Sequence, residues 1–177
     1  MIEQVIEQLN ESADTIKSLD SKAIYNSAKL LFYCLANNKK ILLCGNGGSA
    51  ADCQHFAAEL VVRFRADIKR PALPAIALTT DTSIITAAGN DFGFENIFSQ
   101  QIAALGNKDD VLIAISTSGN SPNIINAINK AKQKGMKVVG LLGNDGGQIL
   151  NKCDLAVVVN HNTTARIQEA HILIEHI

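Results

Sequence analysis

Five short apolar runs limit what this chain can fold into: Ile41–Cys44, Pro74–Thr79, Val111–Ile115, Val138–Leu142 and Leu155–Val159. Each is too short for a helix. The third is apolar at every position, the pattern of a strand covered on both faces. Stretches with helical spacing lie between them, so strands alternate with helices. That order predicts one parallel sheet with helices on both sides, joined by right-handed crossovers. In such sheets ligands gather at the carboxyl ends of the strands, near the point where strand order reverses.

Residues 2 to about 37 carry Ile2, Val5, Ile6 and Leu9, then Ile24, Ala28, Leu31, Leu35 and Ala36, at helical spacing. Two N-terminal helices are expected, with Asp20 as a cap between them. They either pack across another subunit or cover this domain's own core. After Cys44 the chain breaks into Gly45-Asn46-Gly47-Gly48, and Ser49 is placed to cap the next helix. His55 and Glu59 share one face of that helix, and Arg63 extends the stripe by a turn. A polar, basic connector from Arg63 to Arg70 leads into the second strand. Asp81 is expected to cap a short helix to about Ala88. Gly89-Asn90-Asp91 should break it, with Asp91 capping the next helix and Gly106-Asn107 stopping that one. Ser121 and Pro122 are the residue types of an N-cap and a first helical position, for a helix ending near Gly135. Gly143 to Gly147 reads as a turn before a short helical piece through Leu150. Thr163 or Thr164 caps a closing helix that holds Gln168, His171 and His176.

At 177 residues, 47% hydrophobic and 19% charged with net charge −1, the chain has the balance of one ordinary globular domain. No basic excess points to nucleic acid, and no apolar run approaches the roughly 20 residues that span a bilayer. The first residues include Glu3 and Glu7 where a signal peptide would be basic. A cytoplasmic location is expected, with no membrane or nucleic-acid partner. Cys34, Cys44, Cys53 and Cys153 show no CxxC pairing. Cys34, Cys44 and Cys153 sit in or beside apolar runs and read as reduced core residues. Cys53 lies on the helix of His55, but nothing near it in the sequence marks it as activated.

Two turns at strand ends carry the chemistry. Ser116, Thr117, Ser118, Asn120 and Ser121 stand together at a helix N-terminus, where hydroxyls and unpaired N–H groups suit a phosphate. The same residues also suit a loop that caps only itself. Gly45-Asn-Gly-Gly48 places backbone close to a ligand, but it fits the dinucleotide fingerprint only loosely and lacks the Gly-Lys-Ser/Thr of a nucleotide P-loop. His55, Glu59, Asp91, Gln168, His171 and His176 are each unremarkable alone. Arg63 and Arg166 either hold phosphate or face solvent.

Taken together, CGNGGSAADCQHFAAEL, AIALTTDTSIITAAGNDFGFENIFSQQI, DVLIAISTSGNSPNII and ARIQEAHILIEHI closely resemble the phosphoheptose isomerases of the SIS-domain superfamily. The resemblance runs from about Lys39 to the end. It implies a flavodoxin-like three-layer α/β sandwich: one SIS domain over residues 1–177, with helices at 1–37 and a five-stranded parallel core at 39–177. It implies a cytoplasmic homotetramer that isomerises sedoheptulose 7-phosphate to glycero-manno-heptose 7-phosphate, the first step toward heptose nucleotides for lipopolysaccharide or capsule. By the same resemblance, Asn46, Gly47, Gly48, Ser49, Asn90 and Asp91 contact the sugar, and Ser116, Thr117, Ser118 and Ser121 hold its phosphate. Glu59, Arg63 and Gln168 complete the substrate contacts. Glu59 and His176 form the acid/base pair. His55, Glu59, Gln168 and His176 match positions that bind zinc in some members, one ion per subunit.

Three further expectations follow. Gln168 and His176 are eight residues apart, about 12 Å along a helix, so a site using both draws them from different subunits. The sequence stops mid-pattern at His176-Ile177 while relatives continue this helix, which leaves truncation after Ile177 an open question and places His176 at an unsupported end. Ala165 replaces an acidic residue found in some phosphoheptose isomerases, and Thr-Ala-Arg-Ile-Gln also occurs in a non-enzymatic branch that binds a replication initiator. That branch lacks counterparts of Glu59 and His176, both present here, which favours the enzyme over an initiator-binding or phosphosugar-sensing tetramer.

Overall fold

The computed structural model describes every residue from Met1 to Ile177. Five strands form one parallel sheet in the order β2-β1-β3-β4-β5: β1 Ile41–Cys44, β2 Ala75–Ala77, β3 Val111–Ser116, β4 Lys137–Gly143 and β5 Leu155–Val159. Eight helices surround it: α1 Ile2–Lys17, α2 Ser21–Ala36, α3 Gly48–Val61, α4 Thr82–Phe92, α5 Ile97–Leu105, α6 Pro122–Gln133, α7 Gly147–Leu150 and α8 Thr164–His176. The three-layer, five-stranded α/β sandwich expected from the sequence is what forms. No helix is long and apolar enough to cross a membrane.

The uninterrupted apolar runs are explained by burial on both faces. Ile41, Leu43, Val111, Ile113 and Ile115 point into a core shared with α2, α3 and α8. Their neighbours Leu42, Cys44, Leu112 and Ala114 point to the opposite core, under the helices that follow β2 and β3. Alternate side chains face opposite ways, so a strand with two covered faces has no polar position to spare. The roots of β1 and β3 are tied by Asp110, only 1% exposed. It accepts from the Lys40 and Asn107 backbone N–H groups and from the Lys40 ammonium, at 2.5 Å.

Several local expectations are corrected. Ser49 does not cap α3: the helix begins at Gly48 after Gly47, and Ser49 is buried in its first turn. Tight packing of the turn moves the start upstream, since Gly45 lies directly against Ser49. The helix ends at Val61, so Arg63 does not continue the His55–Glu59 stripe. Gly89-Asn90-Asp91 does not break α4, which runs on to Phe92 before turning at Gly93 (φ 85°, ψ 153°). An interior glycine costs a helix only about 1 kcal/mol, which packing on α5 outweighs. Asp91 therefore caps nothing and instead accepts from the Asn90 side chain. Ser121 is the N-cap of α6 with Pro122 following it, and Thr163 is the N-cap of α8, as expected, but each accepts from its helix through the backbone carbonyl and makes no side-chain cap bond. Asp20 and Asp81 do cap α2 and α4.

Helix α1 lies outside the sandwich against α8. Arg166, 7% exposed, donates to the Gln8 backbone and side chain, to Glu11 and to Glu169. It is an anchor for α1, neither a solvent-facing residue nor a phosphate ligand. The apolar stripe of α1 stays uncovered, with Ile2, Val5, Ile6 and Leu9 all more than half exposed.

Candidate active site

The strand order reverses between β1 and β3, and the two turns singled out in the sequence leave the sheet there side by side. The β3–α6 loop is shaped by its own polar groups. The Ser116 hydroxyl accepts from the Gly119 N–H and lies 3.2 Å from the Ser121 hydroxyl. The Ser118 hydroxyl accepts from the Asn120 N–H. The loop is fixed from behind by the β4–α7 turn: Asn144 donates to the Thr117 carbonyl, Gln148 N–H to the Asn120 side chain and Ile149 N–H to the Gly119 carbonyl. The N–H groups of Thr117, Ser118 and Ser121 find no acceptor in the chain. Unpaired amides, four hydroxyls and the N-terminus of a 12-residue helix form an anion cradle that needs no lysine.

Across the crevice, the half-buried Asn46 pairs its carboxamide with that of Asn123 on α6. Gly48 supports a close approach: a Cβ there would fall on the carboxamide of Gln168 from α8. The Gln168 side chain is flexible, so Gly48→Ala should cost under about 1 kcal/mol of stability while driving Gln168 off the turn. We expect a raised KM for substrate with an almost unchanged melting temperature; unchanged KM would mean that Gln168 does not serve the site from this position.

The second cluster lies further down the same pair of helices. His55 on α3 and His176 at the end of α8 put their Nε2 atoms 2.8 Å apart, and Glu59 Oε1 lies 3.8 Å from His55 Nε2. The other Glu59 oxygen is buried without a partner. Phe64 stacks on His176 with ring centroids 5.2 Å apart and planes at 14°. Arg70 donates to the Glu59 and Leu60 carbonyls, fixing the last turn of α3 that carries Glu59. Sequence reasoning missed Phe64, Arg70 and Asn123. Arg70 stood in a connector marked only as basic, and nothing in the sequence pointed to the other two.

The donors suit zinc in kind: two imidazoles edge to edge beside a carboxylate with an unpartnered oxygen. Within one chain, however, no three such groups close around a common point. Gln168 is held at Gly48, about 10 Å along α3 from His55. Glu59 and His176 also edge a cavity of about 330 Å³ walled mainly by apolar residues of α2 and α3, including Leu31, Phe56 and Leu60. A sugar phosphate would find few partners for its hydroxyls there; the polar groups gather at the strand ends instead.

Some expected residues stay apart from either cluster. Asn90 and Asp91 are exposed at the end of α4 and bond each other, and Arg63 is exposed past the end of α3 without a polar partner. Cys53 is fully buried, and burial first, then Cys44, holds its thiol well above the usual range, so it is no nucleophile. Between α3 and α8, Glu175 is pushed up to about 9 by burial and then by Asp52, and Asp52 is itself raised by burial.

His171 is wholly buried, with neither ring nitrogen hydrogen-bonded, and burial lowers its pKa to about 4. A folded-state value below the ordinary 6.5 means that stability is complete above 6.5 and is lost as pH falls toward 4. Its share should amount to about 2 kcal/mol between pH 7 and pH 5. Glu175 acts in the opposite direction over this range, so the readout is a difference. Urea unfolding should show wild type losing that amount relative to His171→Leu as pH falls; parallel pH profiles would refute it.

The sequence and the fold were each compared with known proteins. A family model described as the SIS domain matches residues 4–143. A phosphoheptose isomerase of Nitratiruptor sp. is 51% identical over 180 aligned positions, covering 100% of this chain and 95% of that protein. The structure of a phosphoheptose isomerase from Neisseria gonorrhoeae superposes with a TM-score of 0.90 at 46% identity, covering 98% of this chain and 94% of its own. That of a phosphoheptose isomerase from Francisella tularensis gives 0.91 at 44% identity, covering 99% and 92%.

Proposed function

The chain belongs to the phosphoheptose isomerases, within the SIS-domain family, and from that membership we infer that it converts D-sedoheptulose 7-phosphate to D-glycero-D-manno-heptose 7-phosphate. It is an aldose–ketose isomerase acting at the start of heptose activation. One observation supports this reading above the others: a phosphate cradle without lysine at the β1/β3 reversal, facing a glycine turn on which Gln168 rests.

The phosphate sits on the N–H groups and hydroxyls of Ser116, Thr117, Ser118 and Ser121, and the glycine turn from Asn46 to Ser49 receives the sugar hydroxyls. Binding energy from the unreactive phosphate end orients the reacting carbons. Isomerisation moves a proton from C1 of the ketose to C2 through an enediol, while the hydroxyl proton passes from O1 to O2. Glu59 takes the carbon-bound proton, and His176 shuttles the proton between the oxygens. Phe64 stacked on His176 fixes the plane of the imidazole. His55, Glu59, Gln168 and His176 would hold zinc, which when bound steadies negative charge on the enediol oxygens. A Glu59 bound to a metal is a weaker base, so its two roles belong to different states.

One chain supplies two separated halves. Glu59 lies eleven residues beyond Gly48, about 16 Å along α3, too far to be reached by one heptose seated on the cradle and the glycine turn. The active site is therefore completed by a second copy, in a homotetramer, with Gln168 and His176 of any one site coming from different subunits. The exposed apolar stripe of α1, with Tyr25 and Phe32 of α2, supplies surface for that assembly. Purified protein incubated with sedoheptulose 7-phosphate should form aldose; no turnover with or without added zinc would refute the function.

A further inference from the structure

Asn46 and Asn123 come from segments 77 positions apart and meet across the β1/β3 reversal in a closed two-bond ring. Asn46 Nδ2 donates to Asn123 Oδ1 at 2.9 Å, and Asn123 Nδ2 donates back to Asn46 Oδ1 at 2.8 Å. Asn123 is 2% exposed in the first turn of α6, the helix whose N-terminus forms the phosphate cradle, and is flanked by the fully buried Ile124. Asn46 is only half-buried and stands on the turn that receives the sugar. A primary carboxamide has two N–H donors and two acceptor lone pairs, and the ring uses one of each. Asn46 therefore keeps one donor and one acceptor, a combination that matches a hydroxyl or carbonyl oxygen of the sugar. Its plane is set by the buried residue behind it. Without that partner, Asn46 would rotate freely on a turn of glycines.

We propose that Asn123 is a positioning residue of the isomerase: it sets the carboxamide of Asn46 against the sugar and fixes the distance between the phosphate cradle and the turn. It acts through Asn46 and does not itself touch substrate. This rests on the isomerase reading above and adds a residue to it. A buried amide serving stability alone would cost melting temperature when removed; one that positions Asn46 also changes turnover, in a way that depends on Asn46.

The test is a double-mutant cycle on sedoheptulose 7-phosphate turnover, with inorganic phosphate inhibition as a second readout. Asn123→Ala should lower kcat by about 10- to 100-fold, the scale of a misplaced reacting group, and leave inhibition by phosphate within about 3-fold. Asn46→Ala should show a similar loss, and the double variant should be no worse than the more damaged single one. Should Asn123→Ala fail to fold, the cycle is run with Asn123→Asp, which keeps the shape and accepts from Asn46 but cannot donate back. Multiplying losses in the double variant, or wild-type kcat in the folded Asn123 variant, overturns the positioning role alone. No turnover by wild type overturns the isomerase reading and this role with it.

Discussion

Glu59→Gln is expected to lower kcat by about 10²- to 10⁴-fold, the usual worth of a positioned acid–base group. The substitution keeps the size and planarity of the side chain and removes only its ability to take a proton. The fold should not suffer. One Glu59 oxygen is buried without a partner and the other is 3.8 Å from His55, so removing the charge relieves desolvation more than it breaks contacts. The backbone at Glu59 remains held by Arg70. Melting temperature should stay level or rise while aldose formation collapses, a combination that separates chemistry from stability. Full turnover by a well-folded Glu59→Gln enzyme would assign the base elsewhere.

Gly119→Ala is expected to lose about 3 kcal/mol of stability together with phosphate affinity. Gly119 has φ +65°, where an L-residue costs roughly 1–2 kcal/mol. An added Cβ would also run into the carbonyl of Gly146 and the nitrogen of Gly147. Both are backbone, so no flexible side chain can move aside, and overpacking adds about 1–3 kcal/mol. The strain falls on the contact that fixes the cradle from behind, through Ile149 and Gln148. For a chain of this length the melting temperature should drop by about 6–12 °C, with weaker inhibition by inorganic phosphate. A variant that melts like wild type would mean that the β4–α7 turn yields and does not hold the loop rigid. The contrast with Gly48→Ala is instructive, since there the obstacle is only the end of the Gln168 side chain.

The strands were readable because their burial is two-sided. A run such as Val111–Ile115 has only one physical use in a chain of this size, and the alternation with helices then leaves few topologies. Caps were readable where a carboxylate had no competing partner, as at Asp20 and Asp81. They failed at Ser49 and Asp91, where contacts made after folding decided the boundary. The two turns of the candidate site were legible for the same reason as the strands: hydroxyls and glycines ending an apolar run have few other uses. His55, Glu59, Gln168 and His176 were legible only as a set and through family resemblance.

By itself, the sequence determined the fold class, the strand ends at which a ligand would sit and the residue types able to hold a phosphate and move a proton. These depend on periodicity and short-range chemistry, which act over a few residues. Only the tertiary structure decided which of those residues meet. His55 and His176 are 121 positions apart, and their contact exists because α3 and α8 pack in the same direction on the same sheet face. Asn123 behind Asn46, Phe64 on His176 and Arg166 under α1 are decisions of the same kind. Long-range contacts of this sort leave no periodic trace in a single sequence, because the energy that selects them comes from packing two surfaces that the chain brings together only on folding.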